Sequence, residues 1–104
     1  MKLLSDERIF EELEKLSDWK LVDEKWIRRR YKFKNYLDGI DFVRRVAEYA
    51  ESKNHHPNIA IDYKVVTLKI SSWAMRGLTD LDFEMAHYFD DLYEISHYEE
   101  DKTH

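Results

Sequence analysis

Two adjacent histidines, His55 and His56, are the residues of this sequence best suited to chemistry. Imidazole has an unperturbed pKa close to neutral, so it can donate or accept a proton at working pH. Glu51 precedes His55 by four residues, which places both side chains on one face if a helix extends that far. This spacing predicts a carboxylate that orients an acid–base histidine.

Two other interpretations of these residues stay open. Polar side chains frequently do no more than end a helix, where a charged imidazole is favourable. Glu51, His55 and His56 are also three possible metal ligands. The metal interpretation is the weaker one, because Pro57 directs the adjacent rings apart and no further His or Asp cluster has ligand spacing. We therefore expect no metal.

Two further candidates lie later in the chain. Trp73 follows a predicted strand in the segment Ser71-Ser72-Trp73-Ala74, where the indole could pack in the core or stack on a flat ligand. Asp82 lies three residues after Thr79, at a position typical of a carboxylate that caps the start of a helix. Taken alone, Asp82 is not a catalytic candidate.

Three predicted helices position these residues. They begin after Ser5, Asn35 and Thr79, each a capping residue followed by an acid in the first turn. Pro57 disfavours helical geometry in the residue before it, so the second helix must end near Asn54. The apolar residues that we expect to face the core are Ile9, Phe10, Leu13 and Leu16, then Leu37, Ile40, Val43, Ala47 and Ala50, then Leu81, Met85, Phe89 and Leu92.

Two predicted hairpins alternate with the helices. Their strands run from Trp19 to Val22, from Trp26 to Phe33, from Ile59 to Tyr63 and from Val66 to Ile70. The expected fold is α+β with the order α-β-β-α-β-β-α, a four-stranded antiparallel sheet with the helices packed on one face. Residues 1–97 would form a single domain and residues 98–104 a polar C-terminal tail. An exposed strand at a sheet edge favours a homodimer or homotetramer.

The composition excludes several classes of protein. The chain has 104 residues, 38% of them charged, and a formal net charge of −5. Without cysteine it cannot form disulfides, Cys-ligated zinc sites, iron–sulfur clusters or a thiol nucleophile. The absence of a signal peptide or membrane-length apolar segment predicts a cytoplasmic protein. High charge without any glutamine indicates a thermophilic source.

The run Arg28-Arg29-Arg30 lies inside a predicted strand. Alternation sends its members to opposite faces of the sheet, so the three side chains cannot form one patch. Together with the negative net charge, this argues against direct nucleic-acid binding. A solvated face is the expected role of the run.

Several spaced residues, taken in order, resemble the motif of the pterin-4a-carbinolamine dehydratase family. That motif is an acidic residue, three residues, His-His-Pro, an aromatic residue, a His or Trp after nine more residues, and a later Asp. The matching residues are Glu51, His55, His56, Pro57, Tyr63, Trp73 and Asp82. The likeness extends from about the first predicted helix to the third, and the family fold has the same order of elements.

The resemblance implies a hydro-lyase, a 4a-hydroxytetrahydrobiopterin dehydratase that removes water from 4a-hydroxytetrahydropterin to give quinonoid dihydropterin without a cofactor. It implies that His55 and His56 are the acid–base pair. The residues that it implies for substrate binding are Glu51, Asn54, Ser71, Ser72, Trp73 and Asp82. The alternatives are a non-catalytic protein that binds a pterin or a molybdopterin-related compound, and a dimerisation cofactor of a transcription regulator. Many members carry a third histidine at the position of Trp73, and this chain departs from them there.

Overall fold

The computed structural model describes the backbone of residues 2–102 and the side chains of residues 2–96. The predicted order α-β-β-α-β-β-α is confirmed, with a short 3-10 turn before the last helix. The elements are α1 (Asp6–Glu14), β1 (Lys20–Val22), β2 (Trp26–Lys32), α2 (Tyr36–Lys53), β3 (Asn58–Asp62), β4 (Val65–Ile70), the turn Trp73–Met75 and α3 (Asp80–Lys102).

The four strands form one antiparallel sheet in the order β1-β2-β4-β3. The β1–β2 hairpin closes through Asp23 and Glu24, both at positive φ, which matches the twist of the paired strands. The helices cover one face of the sheet, as predicted, and the other face is open. Strands β1 and β3 are its edges, and Ile61 on β3 is 43% exposed. Assembly into a homodimer or homotetramer stays a prediction.

The core lies between the helices and the covered face of the sheet. Helix α2 contributes Phe42, Val46 and Ala50 to the core. The centre of the Phe42 ring lies 4.8 Å from that of the Tyr31 ring. The predicted apolar face of α2 was therefore partly wrong, because Leu37 is 67% exposed and Ala47 is also exposed. The apolar residues of α2 span more than one stripe, and the large Phe42 ring selects the stripe that meets the sheet.

The first helix shows a similar difference between expectation and structure. Ser5 caps α1 as predicted, and its hydroxyl accepts a hydrogen bond from the Arg8 backbone N–H at 3.2 Å. Ile9 and Leu16 are buried, whereas Phe10 is 66% exposed. Neighbouring residues on a helix lie about 100° apart, so Ile9 and Phe10 cannot both face the sheet.

The capping residue of α2 also behaves differently from the expectation. Asn35 precedes the helix in an extended conformation, but its side chain accepts no capping hydrogen bond. Its amide Nδ2 instead donates to the Asp38 carboxylate at 3.0 Å. The two side chains of the predicted capping box therefore bond to each other.

A carboxylate on α3 ties this helix to the first hairpin. One oxygen of Asp90 accepts hydrogen bonds from Trp19 Nε1 at 3.0 Å, Arg29 Nη1 at 2.7 Å and Tyr31 Oη at 2.6 Å. The Arg29 guanidinium also lies 4.3 Å from the centre of the Tyr31 ring. The three donors, Trp19 in the loop before β1 and Arg29 and Tyr31 on β2, thus fix the position of α3 over the sheet.

The last helix continues to Lys102, so its backbone extends into the segment predicted as a tail. Residues 103–104 of that segment lie outside the described residues. Among the helices that the structure describes, none combines the length and the apolar character needed to cross a membrane.

The Asp90 cluster predicts a pH dependence of stability that can be assigned to Tyr31. Burial and then the Asp90 carboxylate raise the pKa of the Tyr31 phenol above its ordinary value. In the unfolded chain the phenol ionises near pH 10, whereas in the folded protein it stays protonated. This contribution to stability is present below about pH 10 and is lost as the pH rises further.

We expect Tyr31→Phe to lower the free energy of unfolding at pH 8 by about 1 kcal/mol, because Asp90 loses a donor. Between pH 8 and pH 11 the gap to the wild type should shrink by about 1.4 kcal/mol, which is enough to close it. Urea unfolding at pH 8, 10 and 11 measures the gap, with Tyr36→Phe as the control at an exposed phenol. A gap that is the same at all three pH values would contradict the assignment.

Candidate active site

The end of α2 directs the two histidines away from the helix. Asn54 has left-handed backbone angles, φ 50° and ψ 43°. Its N–H donates to the Glu51 carbonyl, and the His55 N–H donates to the Ala50 carbonyl at 3.1 Å. This is a Schellman arrangement, in which asparagine is one of the few residues that tolerate the left-handed position. His55 and His56 consequently lie outside the helical repeat.

His55 is paired with a buried carboxylate of α3. Its Nε2 lies 2.7 Å from Asp82 Oδ1. The imidazole is 13% exposed, and the Asp82 side chain is fully buried. The expected pairing of Glu51 with His55 was wrong, because α2 ends before His55. The carboxylate that orients this histidine comes from a helix 27 residues further along the chain.

The second oxygen of Asp82 is bound to two polar residues. Oδ2 accepts hydrogen bonds from Ser72 Oγ at 2.7 Å and from the Thr79 backbone N–H at 2.9 Å. The Ser72 and Thr79 hydroxyls also bond to each other at 2.8 Å. Asp82 therefore caps the start of α3, as its position predicted, and also holds the β4–α3 loop. A buried charge is tolerated only with such partners.

His56 has a separate and more open environment. Its Nε2 lies 3.2 Å from Glu51 Oε2, with 55% of the imidazole and 79% of the carboxylate exposed. Each histidine thus faces its own carboxylate, one buried and one at the surface. The two rings differ in access to water and in how firmly they are held.

A cavity of about 580 Å³ opens between the histidine segment and the loop after β4. The Trp73 indole forms part of its wall and is 75% exposed, so it does not pack in the core. The indole packs edge to face with that of Trp26, with 6.0 Å between the ring centres. The residues that line the cavity are Asn54, His55, His56, Pro57, Asn58, Ser72, Trp73 and Ala74.

The eight sequence-predicted residues divide into three groups. Five of the eight line the cavity, namely Asn54, His55, His56, Ser72 and Trp73. Asp82 and Glu51 are not among the lining residues and are instead the partners of His55 and His56. The Ser71 hydroxyl donates to the backbone carbonyls of Lys25 and Gly77, so it ties the loop to the first hairpin and does not line the cavity.

Sequence reasoning missed three contributors to the site. Thr79 was noticed only as a helix cap, although its hydroxyl belongs to the Asp82 network. Trp26 was noticed only as a strand residue, and no local signal shows that it supports Trp73. Asn58 opens β3 and lines the cavity, which follows from its distance of two residues from His56.

The three possible metal ligands of the histidine segment do not converge on one point. Within the part of the chain that the structure describes, no three His, Asp or Glu side chains are grouped as metal ligands. His55 and His56 contact different carboxylates, on different elements. What the arrangement offers is two imidazoles beside a cavity large enough for a small flat ligand.

Comparison with known proteins identifies a family for this chain. The family model for pterin 4 alpha carbinolamine dehydratase matches residues 2–92. A Picosynechococcus sp. protein provisionally named as such a dehydratase is 44% identical over 89 residues, which cover 86% of this chain and 96% of that protein. A Mycobacterium avium protein with the same provisional name is 46% identical over 86 residues, 83% of this chain and 90% of that protein.

Two solved structures share the fold. One is a transcriptional coactivator/pterin dehydratase from Brucella melitensis, with a TM-score of 0.85 and 30% identity, covering 88% of this chain and 99% of that chain. The other is a pterin dehydratase-like protein described as a RuBisCO assembly factor in the alpha-carboxysome. It has a TM-score of 0.63 and 19% identity, and the match covers 73% of this chain and 92% of that chain. On the matches of the family model and the curated relatives, this chain belongs to the pterin-4-alpha-carbinolamine dehydratase family.

Proposed function

We propose that this protein is a cytoplasmic dehydratase that converts a 4a-hydroxytetrahydropterin into quinonoid dihydropterin and water. The observation that carries the proposal is the 2.7 Å contact between His55 and the buried Asp82, at the wall of a cavity. The reaction needs a base for one proton, an acid for another and a site for a flat bicyclic ring. Two imidazoles and an indole supply these groups.

His55 is suited to accept the proton from N5 of the pterin. When its Nε2–H donates to Asp82, the neutral ring has its lone pair on Nδ1. Asp82 then stabilises the imidazolium that forms as Nδ1 takes the proton. The N5–H electron pair forms the C4a=N5 double bond, and the C4a–O bond breaks.

His56 is suited to protonate the departing hydroxyl, which leaves as water. The exposed pairing with Glu51 Oε2 leaves this histidine in contact with solvent, so it can be reprotonated after each turnover. The two histidines therefore carry out the two proton transfers. Each imidazole then returns to its starting protonation state by proton exchange with water. Asn54 and Ser72 complete the polar side of the cavity.

Trp73 is suited to hold the pterin ring by stacking. Its side chain is largely exposed, its ring packs at about a right angle against that of Trp26, and it lies in the cavity wall that contains Ser72. An indole donates through its N–H but does not exchange a proton near neutral pH. The chain thus binds the ring with a large aromatic surface at a position where many relatives have a third histidine.

A protein-binding role is the second candidate. It is favoured by an exposed apolar patch of α2 and the β3–β4 hairpin, where the Tyr36 and Tyr63 rings stack 6.3 Å apart. Leu37 and Ile61 are further exposed apolar side chains of these elements. Such a patch would serve a dimerisation cofactor or the assembly of two or four copies. If this role stands alone, the purified protein should form a stable complex with a partner or with itself and should not accelerate the dehydration of the carbinolamine.

The dehydratase proposal predicts the effect of His55→Gln. The variant should lower the rate of carbinolamine dehydration by about 10²–10⁴-fold, because the base is lost while a polar side chain remains. Stopped-flow absorbance of the freshly formed carbinolamine measures the rate, and His87→Gln on the exposed side of α3 is the matched control. An unchanged rate in His55→Gln, or an equal loss in the control, would refute the assignment.

The proposal also predicts the effect of Trp73→His. A third imidazole in the cavity wall should raise kcat by about tenfold, since it adds a proton donor, and should raise KM because the stacking surface shrinks. Trp73→Phe keeps an aromatic ring without a titrating group and should show no gain in kcat. If Trp73→His is no faster than Trp73→Phe in the same stopped-flow assay, proton transfer is not limited by the missing histidine.

A further inference from the structure

The open face of the sheet is strongly cationic in a chain whose net charge is −5. The buried residues of β2 and β4 face the helices. Successive side chains of a strand point to opposite faces, so the residues between them point to the open side. Arg29 turns inward, as alternation predicted, but neighbouring strands add cations beside Arg28 and Arg30. The open-face cations on the strands are Lys20, Arg28, Arg30, Lys32 and Lys69.

Three of these cations lie in one row across the sheet. Lys20 is directly opposite Arg28, and Arg28 is directly opposite Lys69. Like charges in this position are destabilising. None of the three has an ion-pair partner within 4 Å among residues 2–96. Asp62 is the one acid that the described strands place on this face, and it lies at the opposite end of the sheet.

The row begins beside the candidate active site. Lys69 pairs with Asn58, which lines the cavity. The Lys69 ammonium lies 4.7 Å from the centre of the Trp26 ring, and that ring packs edge to face against Trp73 in the cavity wall. The Lys69 ammonium is therefore separated from the Trp73 wall of the cavity by the Trp26 ring alone. Strands are about 4.8 Å apart, so the row continues from Lys69 to Lys20 over about 10 Å.

We propose that the row formed by Lys69, Arg28 and Lys20 binds an anionic side chain of the pterin, so that the substrates are pterins with phosphate or carboxylate groups. This inference rests on the proposed function, because the pterin ring must occupy the cavity. An anionic group beyond the ring would relieve the repulsion between the three cations. Arg30 and Lys32 lie further along the strands and are not needed.

Equilibrium binding of stable oxidised pterins tests the inference without requiring turnover. The probes are neutral biopterin, the phosphate ester of 6-hydroxymethylpterin and folate, whose glutamate supplies carboxylates. Quenching of tryptophan fluorescence gives Kd at about 50 mM and 500 mM salt. The wild type should bind at least one anionic probe about tenfold more tightly than biopterin at low salt and lose most of that preference at high salt. The phosphate and folate arms show which anionic group is preferred.

The variants identify the cations responsible. In Lys69→Gln/Arg28→Gln the preference should fall by about fivefold to tenfold, as expected for two charge contacts at the surface. Lys32→Gln is the matched control, with the same charge removed from the same face about 13 Å along β2 from Arg28. Its preference should match the wild type, and biopterin should bind all forms equally.

Three results would overturn the inference. They are equal affinity of the wild type for neutral and anionic probes, a preference that survives in the double variant, and an equal loss in Lys32→Gln. If dehydration of the biopterin carbinolamine persists in any of these cases, the proposed function stands while the substrate class is wrong. Failure of every pterin to bind, together with no dehydration, would refute both.

Discussion

The candidate site depends on one buried anion, the carboxylate of Asp82. A fully buried charge is costly unless its oxygens are occupied, and here one oxygen meets His55 while the other meets Ser72 and the Thr79 N–H. These partners come from the end of α2, the end of β4 and the start of α3. Satisfying a single carboxylate therefore forces three elements together and builds the cavity at their junction.

A second carboxylate, that of Asp90, attaches α3 to the sheet at another point along the helix. Asp90, two helical turns after Asp82, binds donors from the first hairpin, among them Tyr31. Helix α3 is thereby attached to the sheet at two points, with Phe89 and Ala86 buried on its inner side. This double attachment holds the Asp82 side chain still relative to the sheet, so the His55 ring has a defined direction into the cavity.

Local sequence signals were sufficient for the order of elements but not for every partner in the site. Capping residues, alternation and Pro57 fixed the boundaries because each acts through neighbouring residues. The pairing of Glu51 with His55 failed because the helix ends in a left-handed Asn54, which rotates the following residues off the helical face. The buried partner of His55 is on a distant helix, and only the resemblance pointed to Asp82. The cationic row was not foreseen, since it depends on which residues of different strands lie opposite each other.

The variant Asp82→Asn tests the central claim most directly. Ser72 and the Thr79 N–H donate to one oxygen, so they hold the Asn carbonyl there and turn its NH₂ toward His55. The amide then donates to Nε2, the imidazole proton moves to Nδ1, and the base is lost. Dehydration by stopped flow should slow by about 10²-fold or more, while ¹⁵N NMR shows the changed tautomer. A folded Asp82→Asn protein with a wild-type rate would contradict the account.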